Sequence, residues 1–118
     1  MAGNPETWET EGGALRGTPN QVEWAERIKR QVDCEFDRVS ASFRSRAAMQ
    51  NPVKRTETNA ILDILEDKRG DVMSRQDAGY FIREWQEISD QVRQLIAGDA
   101  RYLAIKSARE ARKQEAIE

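Results

Sequence analysis

The side chains best suited to binding chemistry are five cations in one short segment. The segment between Asp37 and Glu57 contains no acidic residue. Its cations are Arg38, Arg44, Arg46, Lys54 and Arg55. Cations grouped in this way could neutralise several phosphates of a nucleic acid. The alternative is an ordinary solvated helix end, because cations near the C-terminus of a helix also interact favourably with its dipole.

Histidine is absent from all 118 residues, and its absence argues against most kinds of catalytic site. It removes the usual general base near neutral pH, the Ser-His and Cys-His nucleophile pairs, and the commonest zinc ligand. The sequence also lacks the CxxC, GxGxxG and GxxxxGK[ST] patterns. We therefore predict no enzymatic activity, no metal site and no cofactor.

Trp8 is the one large apolar side chain of an acidic, glycine-containing N-terminal stretch. The composition of residues 1–17 predicts a mobile arm. Two roles remain open for Trp8. It either folds back onto the rest of the protein or acts as a tethered anchor for a partner, since tryptophan is favoured at interface hot spots.

The binding residues are positioned by helices, and the first helix is predicted over residues 18–49. Thr18, Pro19 and Gln21 form a capping-box start with proline at the first helical position. Apolar residues then recur at steps of three and four, as one face of a helix requires. They are Ala25, Ile28, Val32, Phe36, Val39 and Phe43. Trp24 is expected at the edge of this stripe, and Cys34 lies nearly opposite it and is expected to be exposed.

A second helix is predicted over residues 54–69. The preceding Asn51-Pro52 ends the first helix, because the residue before a proline disfavours helical geometry. Thr56 and Thr58 are the candidate caps, and Gly70 is the predicted stop. A broad apolar face places this helix centrally. It consists of Ile61, Leu62, Ile64 and Leu65.

The third helix is predicted to begin at Ser74, with Asp77 three residues later in a start that resembles a capping box. If it continued without interruption, Asp99 and Lys106 would lie at the centre of its apolar stripe, where burial of charge is costly. We therefore expect a break at Gly98, with Asp99 capping a fourth helix.

Beyond Lys106 the chain is charged on all sides except for a line of alanines. It is either a fraying helix, which we favour, or a surface that pairs with another copy of the chain. The predicted organisation is a flexible arm (1–17), a helical bundle (18–106) and a charged helical tail (107–118).

Composition indicates a slender all-α protein of one domain. Hydrophobic residues make up 38% and charged residues 34% of the sequence, a polar excess that suits a narrow bundle. The first helix alone would be roughly 45 Å long, so we predict an elongated three- to four-helix bundle. One cysteine, no apolar run near the ~20 residues of a membrane span, and no signal-peptide core predict a cytoplasmic protein without a membrane partner.

The start of the first helix resembles a motif of small helical proteins from phages and other mobile elements. Residues 15–28, LRGTPNQVEWAERI, match the pattern L-x-G-[ST]-x-x-Q-x-x-W-A-E-x-I. Residues 78–83, AGYFIR, resemble a second block of the type A-x-[aromatic]-[aromatic]-I. The resemblance implies a mobile-element origin and carries no assigned chemistry. Since both blocks begin helices, we expect them to pack on each other.

Three non-enzymatic functions follow from these observations. The first is a protein-binding module of mobile-element origin, for instance an inhibitor of a host defence nuclease of a CRISPR-Cas or restriction system. The second is a nucleic-acid-associated helical protein that uses the basic segment from Arg38 to Arg55. The third is a structural homodimer built through the alanine-lined last helix. The formal net charge of −2 indicates neither a DNA-mimicking surface nor a globally basic protein.

Overall fold

The computed structural model describes residues 15–117, and this part of the chain is all-helical and elongated, as the sequence predicts. The extents along its principal axes are 71 × 24 × 19 Å. The described helices are α1 (Pro19–Ala47), α2 (Pro52–Met73), α3 (Ala78–Glu84), α4 (Ile88–Ala97) and α5 (Ala100–Ile117).

α1 begins with the predicted capping box. The Thr18 hydroxyl accepts a hydrogen bond from the Gln21 amide (3.2 Å), and the Gln21 side-chain oxygen accepts one from the Thr18 amide (3.0 Å). Pro19 occupies the first helical position, where its missing amide hydrogen costs nothing. The first helix is thus confirmed to within two residues at either end.

The apolar stripe of α1 forms the centre of the core. Ala25, Val32, Phe36 and Val39 are buried, and Ile28 and Phe43 pack against them half-buried. Phe81 of α3 and Trp85 belong to the same buried cluster, so one apolar seam joins the helices. Cys34 is exposed as expected.

Trp24 lies further from the core than the sequence predicts. Its exposed fraction is 54%, because the neighbouring Ala25 occupies the inward position at this turn of α1 and Trp24 points to the side.

Residues 15–17, which the sequence places in the arm, belong to the fold. Leu15 is only 7% exposed and lies in the core. The Arg16 amide donates to the Gln76 carbonyl (2.6 Å), and the Ala78 amide donates to the Arg16 carbonyl (2.9 Å). This bridge joins the two sequence blocks, so the expectation that they pack on each other is confirmed. Trp8 lies outside the described residues.

α2 starts earlier and ends later than predicted. Asn51 is its cap, since its side-chain oxygen accepts from the Lys54 amide (2.9 Å). Thr56 and Thr58 lie inside the helix, so their assignment as caps is wrong. The predicted stop at Gly70 is also wrong: the helix runs on to Met73, because burying Val72 outweighs the low helix propensity of one glycine.

The predicted third helix is divided into two. Ser74 ends α2, and Asp77 caps α3 by accepting from the Gly79 amide (3.1 Å). The chain then leaves helical geometry at Trp85, which is 3% exposed. Gln91 spans this break, because its side chain donates to the Glu84 carbonyl and accepts from the Glu87 amide.

The predicted break at Gly98 is confirmed. The Asp99 carboxylate accepts from the Arg101 amide (2.8 Å), and α5 begins at Ala100. α5 is continuous through position 107, where the sequence places the start of the charged tail, and remains helical to Ile117.

Two glycine substitutions test this description of the backbone. Gly17 has φ +153°, and a Cβ there would lie 3.1 Å from the Ala78 Cβ. Gly17→Ala should therefore lower the free energy of unfolding by roughly 1–3 kcal/mol. Gly70→Ala, in a helix with open space around it, should raise it by roughly 0.5–1 kcal/mol. Urea unfolding followed by circular dichroism measures both free energies. An unchanged free energy of unfolding in Gly17→Ala would contradict the close approach of Gly17 to Ala78.

Candidate functional site

A groove runs between the C-terminal half of α1 and the inner face of α5. The backbones of the described parts of these two helices do not approach each other closely, since α5 packs on α2 and α4 instead. The inner face of α5 is marked by half-buried side chains at steps of three and four. They are Tyr102, Ile105, Arg109 and Arg112. This face is apolar near α4 and cationic further along. We call the space between this face and the C-terminal half of α1 the α1–α5 groove.

The first end of the groove is an aromatic cavity of about 360 Å³. Phe43 of α1 and Tyr102 of α5 line it, and both rings are half-buried. Three arginines from two helices stand around it. They are Arg38 and Arg46 of α1 and Arg93 of α4. Flat apolar surface and positive charge therefore meet in one cavity.

The arginines at this aromatic end have different partners. The Arg46 guanidinium lies 5.1 Å from the centroid of the Phe43 ring, a cation–π distance. Arg38 donates to Glu35 through two hydrogen bonds (3.0 and 2.5 Å), and these lower the pKa of Glu35. Arg93 pairs with Asp90 at 3.1 Å. Arg46 is thus the arginine whose charge is not offset by a carboxylate among the described residues.

The second end is a basic cleft of about 380 Å³. The Gln50 amide and four cations line it. The cations are Lys54 of α2 and Arg109, Arg112 and Lys113 of α5. Gln50 lies just beyond the end of α1, four residues after Arg46, and Arg109 lies two helical turns, about 10 Å, beyond Tyr102 on α5. The cleft and the aromatic cavity share no lining residue, and the cleft follows the cavity along α5.

Glu57 fixes the arginines of the basic cleft. Its carboxylate accepts from Arg109 Nε (2.8 Å) and from both terminal nitrogens of Arg112. Arg109 also donates to the Thr58 hydroxyl (3.2 Å), which donates in turn to the Gln50 side chain (2.6 Å). The hydrogen bonds from Arg112 and then Arg109 lower the pKa of Glu57 to about 2 against the cost of desolvation. One carboxylate thus serves two arginines, so positive charge remains in excess.

The structure divides the five basic residues singled out in the sequence. Arg38 and Arg46 line the aromatic cavity and Lys54 lines the basic cleft, whereas Arg44 is exposed and lines neither. Arg55 donates to the carbonyls of Ala47 (3.1 Å) and Gln50 (2.9 Å). It therefore satisfies the end of α1.

Sequence reasoning missed the contribution of the last helices. Arg109, Arg112 and Lys113 share a face with Tyr102, and their spacing of three, four and seven carries that signal. Arg93 could not have been found in this way, because only the packing of α4 on α1 brings it to the cavity.

Comparisons of the chain with protein-family models, with curated proteins and with solved structures found no match. Within residues 15–117, no group of three or more histidine, cysteine, aspartate or glutamate side chains could hold a metal ion. None of the helices in that range is long and apolar enough to cross a membrane. Function is therefore inferred from the groove itself.

Replacing Glu57 tests the anchor of α5. Because the folded-state pKa is lowered from 4.5 to about 2, the carboxylate stabilises the fold above about pH 4.5, and this contribution is lost as the pH falls towards 2. Glu57→Gln should be less stable than the parent at pH 7 and should lose less stability on acidification. Urea unfolding from pH 7 to pH 2 measures this.

Asp63→Asn, which removes an exposed carboxylate from the same helix, is the matched control. Parallel pH profiles for the parent and Glu57→Gln would contradict the assigned ion pairs.

Proposed function

We propose that this chain is a non-enzymatic binding module whose α1–α5 groove binds the phosphate backbone of a nucleic acid. One observation carries the proposal: cations from four helices converge on a single groove. They are Arg38, Arg46, Lys54, Arg93, Arg109, Arg112 and Lys113. Cations far apart in the sequence meet there, so an ordinary helix end does not account for them.

The distribution of charge supports this function despite the net charge of −2. Residues 38–56 contribute five cations and no carboxylate, and α5 places further cations opposite them. Two carboxylates of α2 beyond Glu57 pair outside the groove: Asp67 pairs with Arg101, and Glu66 lies 4.0 Å from Arg69. Glu35, Asp90 and Glu110 offset three of the seven groove cations, and Glu57 serves two more, so the cations remain in excess. Since charges are screened beyond about 8 Å at physiological salt, a bound phosphate responds mainly to the groove.

The way in which the arginines are held also supports phosphate binding. Glu57 orients Arg109 and Arg112 before any ligand arrives, so less side-chain entropy is lost on binding. Lys54 and Lys113 add two exposed point charges to the cleft, and Lys113 also pairs with Glu110 at 3.6 Å on the surface of α5. The expected binding is independent of base sequence, because phosphate contacts fix position without reading bases.

Removing the two lysines of the cleft tests this proposal. The double variant Lys54→Gln/Lys113→Gln should weaken binding of a fluorescein-labelled oligonucleotide. It should also reduce the slope of log affinity against log salt by about 1.4, two phosphate contacts at ~0.7 each for a single strand. Fluorescence anisotropy between 50 and 300 mM salt gives both quantities.

Arg27→Gln/Arg30→Gln is the matched control, because it removes the same charge from exposed positions of α1 that line neither the aromatic cavity nor the basic cleft. Equal losses in the two double variants would contradict a localised site. Absence of binding by the parent chain would overturn the proposal.

A second candidate function is the protein-binding module of mobile-element origin, here an inhibitor of a host defence nuclease. The observation that favours it is Trp24, a tryptophan of the phage-like block that is 54% exposed. Exposed tryptophans often carry much of the energy of an interface. Arg27, one turn further on, is also exposed, and both residues lie at the N-terminal end of α1, ~24 Å or more along the helix from Phe43.

This second candidate predicts a different pattern of variants. A purified restriction or CRISPR-Cas nuclease should lose activity in the presence of the chain. Trp24→Ala should weaken the inhibition at least tenfold, and Lys54→Gln/Lys113→Gln should leave it unchanged. Cleavage of a labelled substrate against chain concentration provides the measurement, and inhibition unaffected by Trp24→Ala would exclude this face.

A further inference from the structure

We infer that the α1–α5 groove accepts single-stranded nucleic acid in preference to duplex, with one unpaired base held against Phe43 and Tyr102. This inference rests on the proposed function, because it assigns the class of nucleic acid that the groove takes. The juxtaposition that carries it is an aromatic cavity followed, two turns further along α5, by a basic cleft.

The aromatic cavity has the chemistry of a base-binding site. Its volume of about 360 Å³ falls within the 300–1,000 Å³ typical of ligand pockets. Phe43 comes from α1 and Tyr102 from α5, and the rest of its apolar lining comes from α1 and α4. These residues are Val39, Ile96 and Ala97. Successive bases of single strands stack on aromatic side chains in this kind of surrounding, with little dependence on sequence.

Arg46 adds a second planar surface to the cavity. Its guanidinium already lies over the Phe43 ring at 5.1 Å, and unstacked bases pack on arginine planes as well as on aromatic rings. A phosphate next to the bound base could pair with the positive charge of the same guanidinium. Arg46 can therefore contact both a base and the adjacent phosphate of a single strand.

The recessed position of the cations disfavours a duplex. Arg109 and Arg112 retain only 29% and 40% side-chain exposure and are drawn towards Glu57. The described part of the chain is only 24 × 19 Å across its two shorter axes, so the groove is a small feature of a slender rod. A single strand can bring its phosphates into such a groove, and only an unpaired base can enter the aromatic cavity.

The test compares four fluorescein-labelled probes by anisotropy at one salt concentration: 12-nucleotide oligo-dT, 12-nucleotide oligo-U, a 12-base-pair duplex, and an oligo-dT with abasic positions. Both single strands should bind at least tenfold more tightly than the duplex, and abasic positions should remove most of this advantage. Comparing the affinities for oligo-dT and oligo-U shows whether the groove prefers single-stranded DNA or RNA.

Variants of the aromatic cavity complete the test. Tyr102→Leu should weaken oligo-dT binding by roughly 5- to 100-fold, the range expected for loss of base stacking, without changing the salt slope. Tyr102→Phe should bind normally. Leu103→Ala, on the exposed side of the same helix, is the matched control, and thermal unfolding verifies that each variant is folded.

The outcomes separate this inference from the proposed function. If oligo-dT and the duplex bind equally, or if Tyr102→Leu binds as the parent does, the inference is overturned while phosphate binding by the groove stands. If no probe binds, the inference and the proposed function are both overturned.

Discussion

The apolar stripe of α1 is the constraint on which the rest of the structure depends. A helix of 29 residues presents one apolar face over about 43 Å, and the described helices cover it together rather than singly. α2, α3 and α4 each pack on α1, and the break at Trp85 lets α3 and α4 follow its surface. α5 packs on α2 and α4 rather than along this stripe. The space between α5 and α1 is the groove.

The chemistry of the groove follows from this arrangement. Near α4 the inner face of α5 still meets apolar surface, and Tyr102 lines the same cavity as Phe43 there. Further along, the neighbour of α5 among the described residues is the start of α2, where Glu57 offers a carboxylate to Arg109 and Arg112. The ion pairs that hold α5 in place therefore also direct its cations along the groove. The single carboxylate of Glu57 does not neutralise both arginines, so positive charge remains available to an anionic ligand.

Local signals in the sequence predict a large part of this structure. The Thr18–Gln21 box, the α1 stripe and the break at Gly98 are governed by capping, periodicity and the cost of burying charge, which act within a few residues. The division at Trp85 was missed because its apolar period continues across the break and only Gln91, six residues later, bridges the backbone. The groove was half predicted: Arg38, Arg46 and Lys54 are neighbours in sequence, whereas their association with Arg93 and Arg109 requires packing between distant helices.

The most direct test of the account maps the contact surface residue by residue. An isotope-labelled chain titrated with 12-nucleotide oligo-dT should show its largest amide shifts in NMR at Phe43, Arg46, Tyr102 and Lys113. The indole signals of Trp24, ~28 Å from Phe43 along α1, and of Trp85, in the core, should remain in place. Shifts centred on Trp24, or spread evenly over exposed cations such as Arg27 and Arg30, would contradict a binding groove between α1 and α5.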